Sequence, residues 1–319
     1  MSYPWLVADI GGTNARFGIV AGPGAVPEAV AVLNVAEHPT LPDAMAAYLA
    51  DHADGARPGA ACVAIAGPVK GDHYTLTNGS WSGSVAGLGI PQSHVLNDFE
   101  ALAISLPHLA GDDLVPLGGP APVAGMVKAV LGPGTGLGVA GLVPAGDGWV
   151  PVPGEGGHVS VPAVTDLEFE IVKALRTDGL PYVDAEHLLS GSGLPRLHRG
   201  LALVRGIKTT RKSASEIVAG DDDLCRETVE VFLALLGGFA GNVALTLGAR
   251  GGVYLGGGVL PRIVDRVRDS DFRSRFELTG PALSDYLTAI ATSLIVAEQP
   301  ALTGAAAWLQ QRATSVEYV

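Results

Sequence analysis

Asp9-Ile10-Gly11-Gly12-Thr13-Asn14 sets a carboxylate at the end of an apolar run, beside a turn whose amides and hydroxyl can reach phosphate oxygens. That is a phosphate and Mg²⁺ site in outline, with Asp9 the residue that would stand near the metal. A tight hairpin turn accounts for Gly-Gly equally well, because glycines are ordinary residues of such a connection. Gly132-Pro133-Gly134-Thr135-Gly136-Leu137-Gly138 is a second loop of this kind, whose glycines let backbone amides approach a terminal phosphate. It lacks the Gly-Lys-Ser/Thr ending of a Walker loop and leads into a strand rather than a helix, so it is not a dinucleotide fingerprint either. Each loop alone is a weak signal; two of them, with Asp or Thr in matching places, form a stronger one.

Other residues could bind and activate a hydroxyl. Asn97-Asp98-Phe99-Glu100 lies between an apolar strand and a helix, where Asn and Asp commonly serve as helix caps. The functional alternative is that Asn97 binds a sugar hydroxyl and Asp98 accepts its proton, as the base of a kinase does. Gly154-Glu155-Gly156-Gly157-His158 offers a carboxylate and an imidazole within a short glycine-rich stretch, and such groups suit polyol recognition. A solvated turn is the plain alternative. Glu186 precedes Leu188-Leu189-Ser190-Gly191-Ser192-Gly193-Leu194 and by itself reads as a surface glutamate at a helix end. Gly256-Gly257-Gly258 follows a strand and could open a helix whose backbone leaves room for an adenine ring, though a plain strand-to-helix connection explains it too.

The elements that would carry these residues follow from hydrophobic pattern and turn signals. Residues 5–8 and 17–20 read as strands around the first glycine turn, with a third strand over 29–33, a helix over 41–51 and a buried strand over 60–66. Residues 94–96 form a strand that delivers Asn97 and Asp98, and a helix follows over 100–106. Strands over 127–131 and 137–143 flank the second glycine turn, so strand, glycine turn, strand occurs twice, as in an internal duplication. The longest helix is expected over 224–247, with Phe232, Leu235, Leu236, Phe239 and Val243 at spacings of three and four. Its Gly237, Gly238 and Gly241 would let it pack closely on a neighbour. A buried strand over 252–255 and an amphipathic helix over 301–311 complete the outline.

Composition narrows the functional classes. The 319 residues suffice for about two domains, and 48% hydrophobic against 16% charged residues indicates a globular chain throughout. With 20 Lys plus Arg against 32 Asp plus Glu, a net charge of −12, nucleic acid is not an expected partner. Cys62 and Cys225 stand far apart and offer no cysteine metal spacing; both are expected to be reduced and buried. Residues 1–5 lack a basic segment followed by an apolar region, and no run approaches the roughly 20 apolar residues of a membrane span. A cytoplasmic protein without membrane contact is the expectation.

Taken together, Asp9 through Arg16, Leu96-Asn97-Asp98-Phe99-Glu100-Ala101, Gly132 through Gly138, Gly154 through His158, Glu186 with Leu189 through Leu194, and Gly252 through Arg262 resemble the bacterial ATP-dependent glucokinases of the hexokinase and actin superfamily. The resemblance spans nearly the whole chain. It implies an α/β, two-lobed actin-like (ribonuclease H-like) ATPase fold with a central cleft, the small lobe formed by 1–108 plus 299–319 and the large lobe by 109–298. It implies an ATP-dependent hexose kinase that phosphorylates glucose at the 6-hydroxyl with Mg²⁺. By motif position Asn97, Asp98, Glu155, His158 and Glu186 would contact glucose, with Asp98 as the base. Gly11, Gly12, Thr13, Asn14, Gly134, Thr135 and Gly136 would line the phosphates, and Gly257 and Gly258 would lie near adenine. Asn78 and Trp81 fall in a stretch resembling the family's sugar-side loop. The resemblance leaves room for a homodimer.

Two departures stand out. A basic Lys-Gly-Arg-like stretch common in the family is absent around Leu278-Thr279-Gly280-Pro281, and the cysteine zinc cluster of the related repressors and kinases is absent too. Three rivals remain at this level: a kinase of another hexose, a catalytically silent sugar sensor, and an actin-like assembly protein. A sensor needs neither Asp98 nor two phosphate loops, and an assembly protein needs no hydroxyl-binding set. The residues do not distinguish ATP from ADP or polyphosphate as donor.

Overall fold

The computed structural model describes residues 1–315, which divide into two compact units. The first comprises Met1–Ala110, Ala145–Pro153 and the described residues from Ala297 onward; the second comprises Gly111–Pro144 and Gly154–Val296.

In the first unit, strands β1 (Trp5–Ile10), β2 (Asn14–Val20), β3 (Glu28–Asn34), β4 (Ala60–Ile65) and, later in the chain, Gln92–Asn97 form a five-stranded sheet. Between the last two lies a small three-stranded sheet of β5 (Val69–Lys70), β6 (His73–Thr75) and β7 (Ser82–Ser84), so strand Gln92–Asn97 is β8. The order is β3-β2-β1-β4-β8, antiparallel across the β1/β2 hairpin and parallel from β1 through β4 to β8. A strand buried on both faces needs a continuous apolar run, and Ala60-Ala61-Cys62-Val63-Ala64-Ile65 supplies one.

Alternate side chains of this sheet serve two layers. Leu6, Ala8 and Ile10 with Ala61, Val63 and Ile65 pack toward helix Leu41–Asp51, where the Tyr48 ring stacks on Phe17. The other face is covered by helix Pro300–Ser315, which packs on β1, β4 and helix Asp98–Ser105. Gly304 lets the two helices meet closely, since a Cβ there would strike the Ala101 carbonyl. The helix that begins with Asp98 is thereby braced from behind by the last helix of the chain.

A second sheet, most of it in the second unit, contains β9 (Leu114–Gly118), β10 (Lys128–Pro133), β11 (Leu137–Ala145), β12 (Gly148–Gly154), β13 (Val253–Leu255) and β14 (Thr292–Ile295). Its order is β12-β11-β10-β13-β14-β9. The β10/β11 pair is antiparallel, whereas β10/β13 and β13/β14 are parallel. The pattern of the first sheet therefore recurs, and the duplication read as strand, glycine turn, strand extends to two further parallel strands in each copy.

Helix Asp223–Leu247 is the spine of the second core. Gly237 and Gly241 bring it against the backbone of helix Phe272–Phe276, because Cβ atoms there would meet the carbonyls of Phe272 and Phe276. Gly238 is different: a Cβ would find only ordinary contacts at 3.8 Å, so close packing does not require it. This helix is long and apolar enough to cross a membrane by length and composition, which corrects the expectation that no segment approaches a span. Its apolar window is 67% buried inside the fold, the state of a core helix.

One buried ion pair ties the layers of this core. Glu168, only 3% exposed, caps its own helix Asp166–Thr177 and takes both arms of the Arg275 guanidinium, at 2.6 and 3.2 Å. Burial works against its charge, yet Arg275 and the N–H groups of Val164 and Thr165 hold its carboxyl below the usual range. Removing one partner strands the other, at a cost of about 3–5 kcal/mol, whereas an apolar pair of similar volume need not destabilise. Glu168→Gln is therefore expected to lower the melting temperature sharply, and the double change Glu168→Leu with Arg275→Met should recover part of the loss; thermal unfolding of the three proteins checks both.

Candidate functional site

The sheet register decides where the chemistry can sit. Ile10, Ile65 and Asn97 are paired across β1, β4 and β8, so the three parallel strands end at one level. Ligands of open α/β sheets bind outside such carboxyl ends. Asp9 and Asp98 lie one residue to either side of this line, Asp9 inside β1 and Asp98 as the first residue of the helix that follows β8.

Asp9 pairs in register with Arg16 across the hairpin, and its Oδ2 lies 3.4 Å from the Arg16 Nη1. Burial pushes the Asp9 carboxyl up, and the guanidinium opposes that shift. The turn between the strands is closed by a Gly11 N–H bond to the Asn14 carbonyl at 2.9 Å, leaving Thr13 and Asn14 exposed at its tip. Gly12 fits because the Asn78 segment lies against it: a Cβ would sit 2.7 Å from the Asn78 carbonyl oxygen. Asn78 thus joins this group with an exposed side chain. Trp81 does not, being 2% exposed and donating its indole N–H to the His38 carbonyl at 2.9 Å.

Asn97 and Asp98 divide two tasks that the sequence left merged. The Asn97 side chain is the helix cap, accepting the Phe99 N–H at 2.9 Å, while Glu100 returns a bond to the Asn97 N–H. The Asn97 amide nitrogen also donates to the Gly67 carbonyl at 3.3 Å, which orients the group. Asp98 is not needed as the cap. Burial first, and the neighbouring Asp9 carboxylate second, push its carboxyl up to about 6, despite the stabilising bond from Phe99 N–H. Such a group is ionised at neutral pH and basic enough to take a proton.

The second unit repeats the edge geometry. Leu131, Leu255 and Leu294 are level across β10, β13 and β14, and the glycine segments 132–138 and 256–258 leave from that line. They interlock by backbone: a Cβ on Gly132 would collide with the Gly256 carbonyl, and Gly257, at φ 86°, lies against the Pro133 carbonyl. The turn itself is closed by Gly134 N–H to Gly136 O at 2.8 Å, with Thr135 exposed at the tip. Gly258 faces open space.

Glu186, in the short helix Ala185–Leu188, reaches this turn rather than solvent alone. Its Oε2 accepts the Leu137 N–H at 2.9 Å, and a Cβ on Gly136 would run into the same carboxylate. Gly157 packs against the Leu137 carbonyl, which brings the Glu155–His158 segment beside it. Glu155 and His158 are both exposed. The His158 Nδ1 lies 3.2 Å from Asp184 Oδ2, and that bond holds its imidazolium above the usual range, with Glu186 and Glu155 adding to the effect. Glu155, His158 and Glu186 therefore share one electrostatic neighbourhood.

Two contributors escaped the sequence reading. Arg16 was part of a quoted motif but had no role; its place opposite Asp9 follows from hairpin pairing, which alternation predicts once the turn is fixed. Asp184 reads as a helix cap in Asp184-Ala185-Glu186-His187, and nothing local shows that its other oxygen faces His158.

Comparison with known proteins identifies the family. The sequence profile described as Glucokinase matches residues 6–312. A glucokinase of Saccharophagus degradans is 47% identical over 320 aligned residues, covering 97% of this chain and 99% of that one. A glucokinase of Aromatoleum aromaticum is 44% identical, covering 96% of this chain and 94% of that one. The crystal structure of a glucokinase from an Antarctic psychrotroph superposes with a TM-score of 0.88 at 36% identity, covering 98% of this chain and 100% of that one. The chain belongs to the glucokinase family.

Proposed function

We propose that this protein transfers the γ-phosphoryl group of ATP to the 6-hydroxyl of glucose, giving glucose 6-phosphate and ADP, in the cytoplasm. The observation that carries the reading is Asp98: a carboxylate in the first turn of a helix capped by Asn97, raised to about 6 although it shares the Phe99 N–H, at the carboxyl edge of a parallel sheet that also carries a glycine turn. Its role is to take the hydroxyl proton as the oxygen attacks phosphorus. Phosphoryl transfer leaves little other covalent work to a protein, so positioning and phosphate electrostatics supply the rest.

Asn78 and Asn97 of the first unit and Glu155, His158 and Glu186 of the second are the proposed hydroxyl-binding residues, since each offers a carboxylate, amide or imidazole that a sugar hydroxyl can meet. Gly11, Gly12, Thr13 and Asn14, with Gly134, Thr135 and Gly136, would bind phosphate oxygens through turn amides and hydroxyls. Gly257 and the open Gly258 leave backbone space for a flat base. No group of three His, Cys, Asp or Glu that could hold a metal occurs among the described residues. The donors present, the Asp9 carboxylate beside the glycine turn, fit Mg²⁺, which binds through one or two carboxylates and substrate phosphates rather than in an all-protein cage. Asp9 would be the carboxylate that holds it, and the bound ion would neutralise charge developing on the phosphates.

Two measurements test the proposal. A coupled assay across a hexose panel should give glucose the highest kcat/KM; a higher value for mannose, fructose or N-acetylglucosamine would overturn the substrate, and no turnover of any hexose would favour a silent sensor.

Asp98→Asn keeps the shape but removes the basic site, and should lower kcat by about 10²–10⁴-fold with glucose affinity little changed. Because the active form is the carboxylate and its pKa is raised, wild-type kcat/KM should fall as pH drops through about 6, and the variant should lack that limb. The linked stability effect has the opposite sense: the folded state binds the proton more tightly than the unfolded chain, so ionised Asp98 subtracts stability above about 6 and nothing once both states are protonated. Asp98→Asn should therefore melt higher than wild type near neutral pH. Retention of more than about a tenth of wild-type kcat would refute the base assignment.

A further inference from the structure

We propose that Asp184 is a positioning residue for sugar recognition: its carboxylate takes the Nδ1–H of His158 and so leaves Nε2 as an acceptor for a sugar O–H. The inference rests on the assignment of His158 to the sugar given above and adds the hydrogen-bond sense in which it acts.

A neutral imidazole has one donor and one acceptor nitrogen, and the partner of one fixes the role of the other. Here the partner is fixed by the backbone. Ser160 and Asp184 form an antiparallel bridge, and Ala185 N–H donates to the Val159 carbonyl at 2.8 Å. The two side chains are therefore held at their 3.2 Å separation by the main chain on both sides. The Asp184 side chain is 6% exposed, whereas that of His158 is 54% exposed, so one edge of the ring meets protein and the rest meets solvent.

The two Asp184 oxygens have distinct tasks. Oδ1 accepts the His187 N–H at 2.8 Å as helix cap and lies 2.7 Å from the His187 Nδ1; Oδ2 faces His158. Capping alone is met equally well by Asn or Ser. An acceptor that is fixed toward Nδ1 is met only by the acid, because an Asn capping through its oxygen turns its NH₂ to the ring. That NH₂ needs an acceptor at Nδ1 and so drives the proton to Nε2, presenting the sugar with a donor in place of an acceptor.

Asp184→Asn is thus a variant that keeps the cap and inverts the tautomer. The test combines ¹⁵N NMR of the histidine rings at about pH 8.5, where imidazole is neutral, with glucose binding by calorimetry and steady-state kinetics. The His158 signal is assigned by its loss in His158→Gln. Wild type should show the Nδ1–H form and Asp184→Asn the Nε2–H form. Glucose Kd and KM should rise about 10- to 100-fold, the range for a buried or specific hydrogen bond left unmade, with kcat within about threefold. An Nε2–H tautomer in wild type, or one unchanged by Asp184→Asn, overturns the role of Asp184. Inversion with unaltered glucose affinity overturns the proposal at its other end, the assignment of His158 to the sugar. If the variant does not fold, the wild-type tautomer alone decides the first point.

Discussion

Asp9 and Asp98 are two carboxylates that burial pushes toward neutrality at the carboxyl edge of one parallel sheet, and the Asp9 charge adds to the difficulty of charging Asp98. Asp9 has Arg16 across the hairpin to favour its charge. Among the described residues no cation pairs with Asp98, which bears the Asp9 charge as well, so its affinity for a proton rises. That asymmetry depends on strand register: shifting β8 by one residue against β4 would move Asn97 off the line it shares with Ile10 and Ile65, and Asp98 with it. The braced helix behind it, locked by the Gly304 contact with Ala101, keeps the register from relaxing.

The second unit solves a different problem with the same sheet. Its glycine segments leave the strand ends with little side chain, so backbone packs on backbone. Were these turns to bind phosphate as proposed, a surface built from main chain would have no pKa and no rotamer, its geometry fixed when the strands pair. Glu186 is the exception, a carboxylate pinned to the Leu137 amide and tied electrostatically to His158. Duplicated topology thus yields one edge that carries a titrating acid and another built of close-packed glycine backbone.

Local features were legible in the sequence where local physics decides them. The helix at Leu41–Asp51 follows from its Thr40 cap, early Pro and apolar spacing, and both glycine turns follow from adjacent apolar strands. Short strands were not legible: β5, β6 and β7 have two or three residues each, too few for any period to register, yet they carry the segment with Asn78. Asn97-Asp98 gave two readings because both residues cap helices well. Only the three-dimensional bonding assigned the capping box to Asn97 and Glu100, with Asp98 sharing no more than the Phe99 N–H. Asp184 stayed hidden for the same reason, since its cap is local and its bond to His158 is tertiary.

The proposed base role stands on the ionisation of Asp98, which site-specific ¹³C NMR of its carboxyl carbon measures directly in the protein without ligands. The predicted midpoint is about 6, moving down when Asp9→Asn removes the neighbouring charge. A midpoint at the ordinary aspartate value of about 4, or one indifferent to Asp9→Asn, would contradict the claim that burial beside Asp9 makes Asp98 a base.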